Sequence, residues 1–133
     1  MLLAILLWLA LAVVAVTNGY IGNTWVLFQF GETWVEPYKV AVIVTAIFLA
    51  SWFYIRQRRE TPWAKAAMVA SITWVFLTVL FEFVFGHYIM GNSWESLLEA
   101  YQIWNGHLWM LVLLAESIAP FVIGWRFSMK REQ

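Results

Sequence analysis

The chain has 133 residues, of which 63% are hydrophobic and 12% charged, and its net charge at neutral pH is zero. A soluble domain carries roughly twice that charged share, so a water-facing globule is excluded and the expected solvent is largely lipid. The balanced charge leaves no basic excess for nucleic acid, and the lack of cysteine excludes disulfides, thiolate metal sites and cysteine nucleophiles.

A bilayer core about 30 Å thick needs about 20 apolar residues in a helix. Four stretches qualify, so the expected fold is an all-α membrane protein, one domain over residues 1–133. The first span runs from Leu2 to Tyr20. Its start, Met1 to Val16, lacks the basic n-region of a signal peptide, which predicts an uncleaved first helix. The following loop, Asn18 to Pro37, is aromatic. Its segment from Thr24 to Val35 sets β-branched and aromatic residues about Gly31, which reads as a short hairpin lying on the outer leaflet or as a bent interfacial helix. In either form it would act as a lid anchored by Trp25 and Trp34.

The second span runs from Tyr38 to Ile55 and ends at Arg56, Arg58 and Arg59. The third opens after Pro62, a residue suited to a first helical turn, and reaches His87. The short connection predicts that these two spans are antiparallel neighbours, as are the third and fourth. Between the third and fourth lies a predicted short amphipathic helix in the interface. Asn92 and Glu95 form its capping arrangement. Trp94, Leu97, Leu98, Tyr101 and Trp104 make its apolar anchor face, Ser96, Glu99, Gln102 and Asn105 its polar face, and Gly106 stops it. The fourth span runs from His107 to Trp125.

Charge orients the bundle. Arg56, Arg58, Arg59, Lys65, Arg126, Lys130 and Arg131 fall on one side, and only Lys39 on the other, beside Glu32, Glu36, Glu95 and Glu99. The positive-inside rule then predicts both termini in the cytoplasm of a bacterial inner membrane.

Polar residues inside the spans are the candidate binding, proton or ion site. Glu82 lies among Phe81, Phe83, Val84 and Phe85. Spacings of seven and four put Ser71, Thr78 and Glu82 on one helical face, with Glu82 about 7.5 Å below His87. Glu116 lies mid-span, about 13.5 Å from His107. Pro120 follows it by four residues and removes the helical partner of the Glu116 carbonyl, which predicts a kink. Neither glutamate has a Lys or Arg within the spans, so at least one is expected to hold a proton or to serve as interhelical glue. His87 and His107 flank the second outer loop, but a five-residue step puts Glu82 and His87 on different faces, and no metal site or catalytic constellation is expected. Ala66, Ala67, Ala70 and Ser71, with Ala115 and Ala119, form close-approach faces for helix packing or for a dimer.

Phe81-Glu82-Phe83, Gly86-His87-Tyr88, Gly91, Ser93-Trp94, Leu97-Leu98, Tyr101, Gly106 and Leu108-Trp109 follow one another over about thirty residues. In this order they resemble a bacterial family of small four-helix inner-membrane proteins without assigned function. The resemblance implies four spans and no activity, with Glu82, His87 and the interfacial helix acting together at the outer face. Three functional readings follow. The first is an oligomeric transporter or channel-like protein with an outer-half polar site, placed at a subunit interface because four helices enclose little room. The second is a non-catalytic accessory subunit of a larger membrane complex. The third, less favoured, is a membrane enzyme acting on a lipid or quinone headgroup through Glu82 and His87. No cofactor is indicated.

Overall fold

The computed structural model describes residues 1–99, 101–102 and 108–133, and the described residues are helical almost throughout. Four helices are long and apolar enough to cross a membrane: α1 (Leu2–Phe30), α2 (Glu32–Gln57), α3 (Trp63–Ile89) and, after the short α4 (Trp94–Glu99), α5 (Met110–Arg131). Between spans, a helix is the cheapest way for an apolar segment to satisfy its own backbone donors and acceptors without water.

The segment expected as a hairpin or interfacial helix is neither. Residues 18–30 continue α1 through a wide π turn at Gly22–Val26, and α2 begins at Glu32. Gly31 alone makes the reversal, at φ 85° and ψ 173°, a region essentially confined to glycine. The β-branched and aromatic residues here have no sheet to join among the described residues, and all but Val26 and the half-buried Val35 face outward from the continued helices. Trp25 and Trp34 remain exposed, on the extended ends of two spans instead of on a lid.

The helices form a ring in which α5 packs most extensively against α3 and α2, while α1 packs against α2 and α3. The direct α2–α3 contact is slighter than the short connecting turn predicts, because α5 packs against both. The alanine faces are used within the chain. Ala66, Ala67, Ala70 and Ala119 are almost wholly buried, and Ser71 Oγ donates to the Ser117 carbonyl at 2.9 Å, one residue from the carbonyl that Pro120 leaves free. Towards the arginine-bearing end the core closes tightly around Ala4, Ile47, Ser51, Tyr54 and Trp74. Trp74 Nε1 donates to the Ala4 carbonyl at 2.8 Å, and the Trp74 and Tyr54 rings meet edge to face.

The two ends differ in charge as the sequence predicts. The Arg131 guanidinium donates to the Arg59 carbonyl at 3.0 Å, and Arg58, Arg59 and Arg131 line one cleft, so these cations share an end. Elsewhere the outer surface is apolar, with Leu6, Val13, Leu49, Ile72, Phe76 and Ile118 all exposed.

Candidate functional site

The centre of the site is a three-residue hydrogen-bond chain across three helices. Trp8 Nε1 on α1 donates to Thr78 Oγ1 on α3 at 2.9 Å, and Thr78 Oγ1 donates to Glu116 Oε1 on α5 at 2.7 Å. Chemistry sets the direction. An indole nitrogen can only donate, so the threonine oxygen accepts from it, and the threonine proton is left for the carboxyl. Glu116 is 3% exposed, and its second oxygen, Oε2, has no partner among the described residues.

Glu82 and Glu116 line a single cavity of about 50 Å³, together with Thr78 and with Trp8, Leu11, Ala12, Ala15, Ile43, Phe81, Trp109 and Val112. It lies between α1 and α5, helices that make no extended contact of their own. The Nε1 of Trp109 makes no full hydrogen bond among the described residues, while its N–H acts as a donor towards both the Glu82 carboxyl and the Tyr101 hydroxyl. The volume suits a water or a small water cluster. No Lys or Arg lines it, so neither carboxyl has a fixed countercharge there.

Thr78, Glu82 and Glu116 are therefore brought together, and the spacing that put Ser71, Thr78 and Glu82 on one face corresponds to the α5-facing side of α3. All the residues that line this cavity belong to one copy of the chain. Trp8 and Trp109 escaped the sequence reading. An indole N–H in an otherwise aliphatic span needs an acceptor, and that rule is the signal that would have singled out Trp8.

His87 is placed apart from the carboxyls. It sits in a π turn, Phe85–Ile89, that ends α3. Its ring stacks on Trp94 with centroids 3.8 Å apart, and Nδ1 lies 2.8 Å from the Asn92 carbonyl, which fixes the proton on that nitrogen. The cap of α4 is Ser93, whose Oγ accepts from the Ser96 N–H at 3.1 Å, and not Asn92. The expected anchor face instead folds back on the end of α3. Leu97 packs against Gly86, where an added Cβ would come within 2.7 Å of its Cδ2. Trp94 and Tyr101 stack on Phe83, while Leu98 stays exposed.

Tyr101 also reaches inward, its hydroxyl donating towards Glu82 Oε2 at 3.5 Å. Burial, and then the Glu82 carboxylate, push the Tyr101 phenol above its ordinary value, so it remains a donor. Trp104, Asn105, Gly106 and His107 lie outside the described residues. Among the described residues no group of three His, Asp or Glu side chains is placed to hold a metal ion.

Comparison of the chain with protein-family models, with curated proteins and with solved structures finds no match in any of the three.

Proposed function

We propose that this chain is a proton-translocating protein of a bacterial inner membrane, with both termini cytoplasmic and Glu116 as the group that takes up and releases the proton. The observation that carries the reading is the division of labour between the two Glu116 oxygens. Oε1 is tied to Thr78 and through it to Trp8, while Oε2 is unpartnered, on a side chain that lines a cavity shared with Glu82. One oxygen fixes the side chain and the other is free to carry an exchangeable proton. Intramembrane carboxyls are costly and are typically found where protons or ions pass.

The size of the cavity supports a proton over a larger cargo. About 50 Å³ accommodates a water or two through which a proton is relayed, and gives no room to a hydrated metal ion or an organic solute. Any coupled solute would have to move along an interface between copies of the chain, so the proposal includes an oligomer.

Reconstitution into vesicles with an internal pH-sensitive dye tests this. A proton gradient should dissipate faster with the wild-type chain than with Glu116→Gln, which keeps the shape and the Thr78 bond but holds no exchangeable carboxyl proton. In infrared spectra, a protonated-carboxyl band should vanish in the same variant. Equal proton flux in the two proteins would end the proposal, and co-purification of a larger complex would then favour the accessory-subunit reading.

A further inference from the structure

Three buried side-chain polar atoms make no full hydrogen bond among the described residues: Asn18 Oδ1, Trp109 Nε1 and Glu116 Oε2. All three residues border one pair of adjoining cavities. The inner cavity holds Glu82 and Glu116. The second, of about 140 Å³, is lined by Ala15, Asn18, Gly19, Glu36, Lys39, Val40, Ile43 and Trp109, and shares Ala15, Ile43 and Trp109 with the first. Asn18, on α1, is 5% exposed and donates its Nδ2 to the Lys39 carbonyl at 2.8 Å, which holds the amide at the wall. Glu36 Oε1 accepts from the Leu108 N–H at 3.0 Å and holds the start of α5 beside the mouth.

A buried polar atom without a partner costs about 1–3 kcal/mol, so such atoms are few in a stable fold and are commonly met by water. The residues that carry these three atoms line an adjoining pair of cavities, the larger of which has room for several waters. In the other direction, between Glu116 and the arginine-bearing end, Ala4, Ile47, Ser51, Ala67, Ala70 and Trp74 are all fully buried. Ser51 spends its hydroxyl on the Ile47 carbonyl and Trp74 spends its indole N–H on Ala4. No unpartnered side-chain atom is found there among the described residues.

We infer that, in the conformation described, the Glu82–Glu116 cavity is reached from one end only, by a water-filled path that enters beside Glu36 and Lys39, passes Asn18, and is gated by the Trp109 ring; release of a proton to the arginine-bearing end then requires a second conformation. The inference rests on the proton-carrying reading of Glu116 and adds the side of access and the gate. Of the three residues that line both cavities, Ala15, Ile43 and Trp109, the tryptophan carries the largest side chain, and its rotation would join them.

The cysteine-free sequence makes the test direct. Single variants Ala12→Cys, Ala15→Cys, Asn18→Cys, Ser51→Cys and Ala70→Cys are placed in sealed vesicles of each orientation. Silver ion, small enough for the path, is added outside, and blocked thiols are counted by later maleimide labelling. Size-exclusion profiles confirm folding, with the small Ala15→Cys change standing in should Asn18→Cys fail to fold.

The expected result is rapid reaction of Ala15→Cys and Asn18→Cys from the Glu36 end alone, and no reaction of Ser51→Cys or Ala70→Cys from either end. Ala12→Cys, on the inner cavity, should react slowly and gain speed when Trp109→Ala is added. Reaction of Ser51→Cys or Ala70→Cys, or equal reaction of Ala15→Cys from both ends, overturns one-sided access. An unchanged Ala12→Cys rate in Trp109→Ala overturns the gate. Loss of proton flux in Glu116→Gln while silver reaches neither Ala15→Cys nor Asn18→Cys removes the path and leaves the carboxyl's role. The reverse pair of results removes the role and leaves the path.

Discussion

Thr78 is a single hydroxyl set between a group that only donates and a group whose facing oxygen accepts. Replacing it with valine keeps the volume and strands both the Trp8 N–H and Glu116 Oε1. The expected cost is about 1–3 kcal/mol for groups buried without partners, towards the low end if lipid-facing rearrangement finds them new ones. Thr78→Ser, which keeps the hydroxyl, should stay close to wild type. Detergent-unfolding curves of the two variants read this out, and equal stabilities would mean the hydrogen-bond chain contributes nothing to the fold. Thr78, Glu82 and Glu116 were legible as residues because polar side chains in apolar spans are rare, and the spacing of Thr78 and Glu82 puts those two on one face. Their partners Trp8, Trp109 and Asn18 were not. A tryptophan near a membrane reads first as an interfacial anchor, and the acceptor it meets lies 70 positions away for Trp8, outside the reach of any periodicity.

Among the elements, the α1–α2 hairpin departs furthest from its reading. Alternating aromatic and β-branched residues around Gly31 carry a strand signal, but the signal describes a side-chain preference for a pleated surface and supplies no partner strand. Continuing two helices to a one-residue reversal keeps the backbone bonded up to the Gly31 N–H, which donates to the Leu27 carbonyl at 3.0 Å. The reversal then depends on glycine. Gly31→Ala should destabilise the protein by about 1–3 kcal/mol, the cost of that backbone region for a residue with a Cβ, as measured by the same unfolding curves. An unchanged midpoint would show that the hairpin turns by some other conformation. The element after α3 illustrates a smaller shift of the same origin. Asn92 and Ser93 are both good caps by type, and the role falls to Ser93, which directly precedes Trp94 and whose Oγ accepts from the Ser96 N–H.

For the whole molecule, the distribution of apolar and basic groups determines how it must sit. Exposed leucine, valine, isoleucine and phenylalanine occur along all four long helices, a surface that water would not tolerate and hydrocarbon does. Aromatic side chains are exposed at both ends, with Tyr20, Trp25, Trp34 and Tyr88 at one and Trp52 and Trp125 at the other, as ring-bearing residues favour the two interfaces. Reporter fusions test the proposed orientation. A fluorescent protein after Gln133 should fold in the cytoplasm, and a tag between Arg59 and Pro62 should be sealed from an external protease in intact cells. A tag at Gly91 should be cut. Protection of the Gly91 tag together with cleavage at Arg59 would invert the orientation and, with it, the compartment from which the proposed path opens.

Composition, hydropathy and the placement of arginine and lysine by themselves determined four membrane-length helices, the common end of Arg58 and Arg131, and the identity of the acidic groups that must be sheltered. These follow from the cost of exposing polar groups to hydrocarbon, a property that accumulates residue by residue along the chain. Only the tertiary structure decided that α5 packs against both α2 and α3, that α1 and α5 stand apart around Glu82 and Glu116, and that Trp8 and Trp109 face the space between them. Those outcomes depend on which helical faces meet, and that is governed by side-chain packing and hydrogen bonds between residues far apart in sequence.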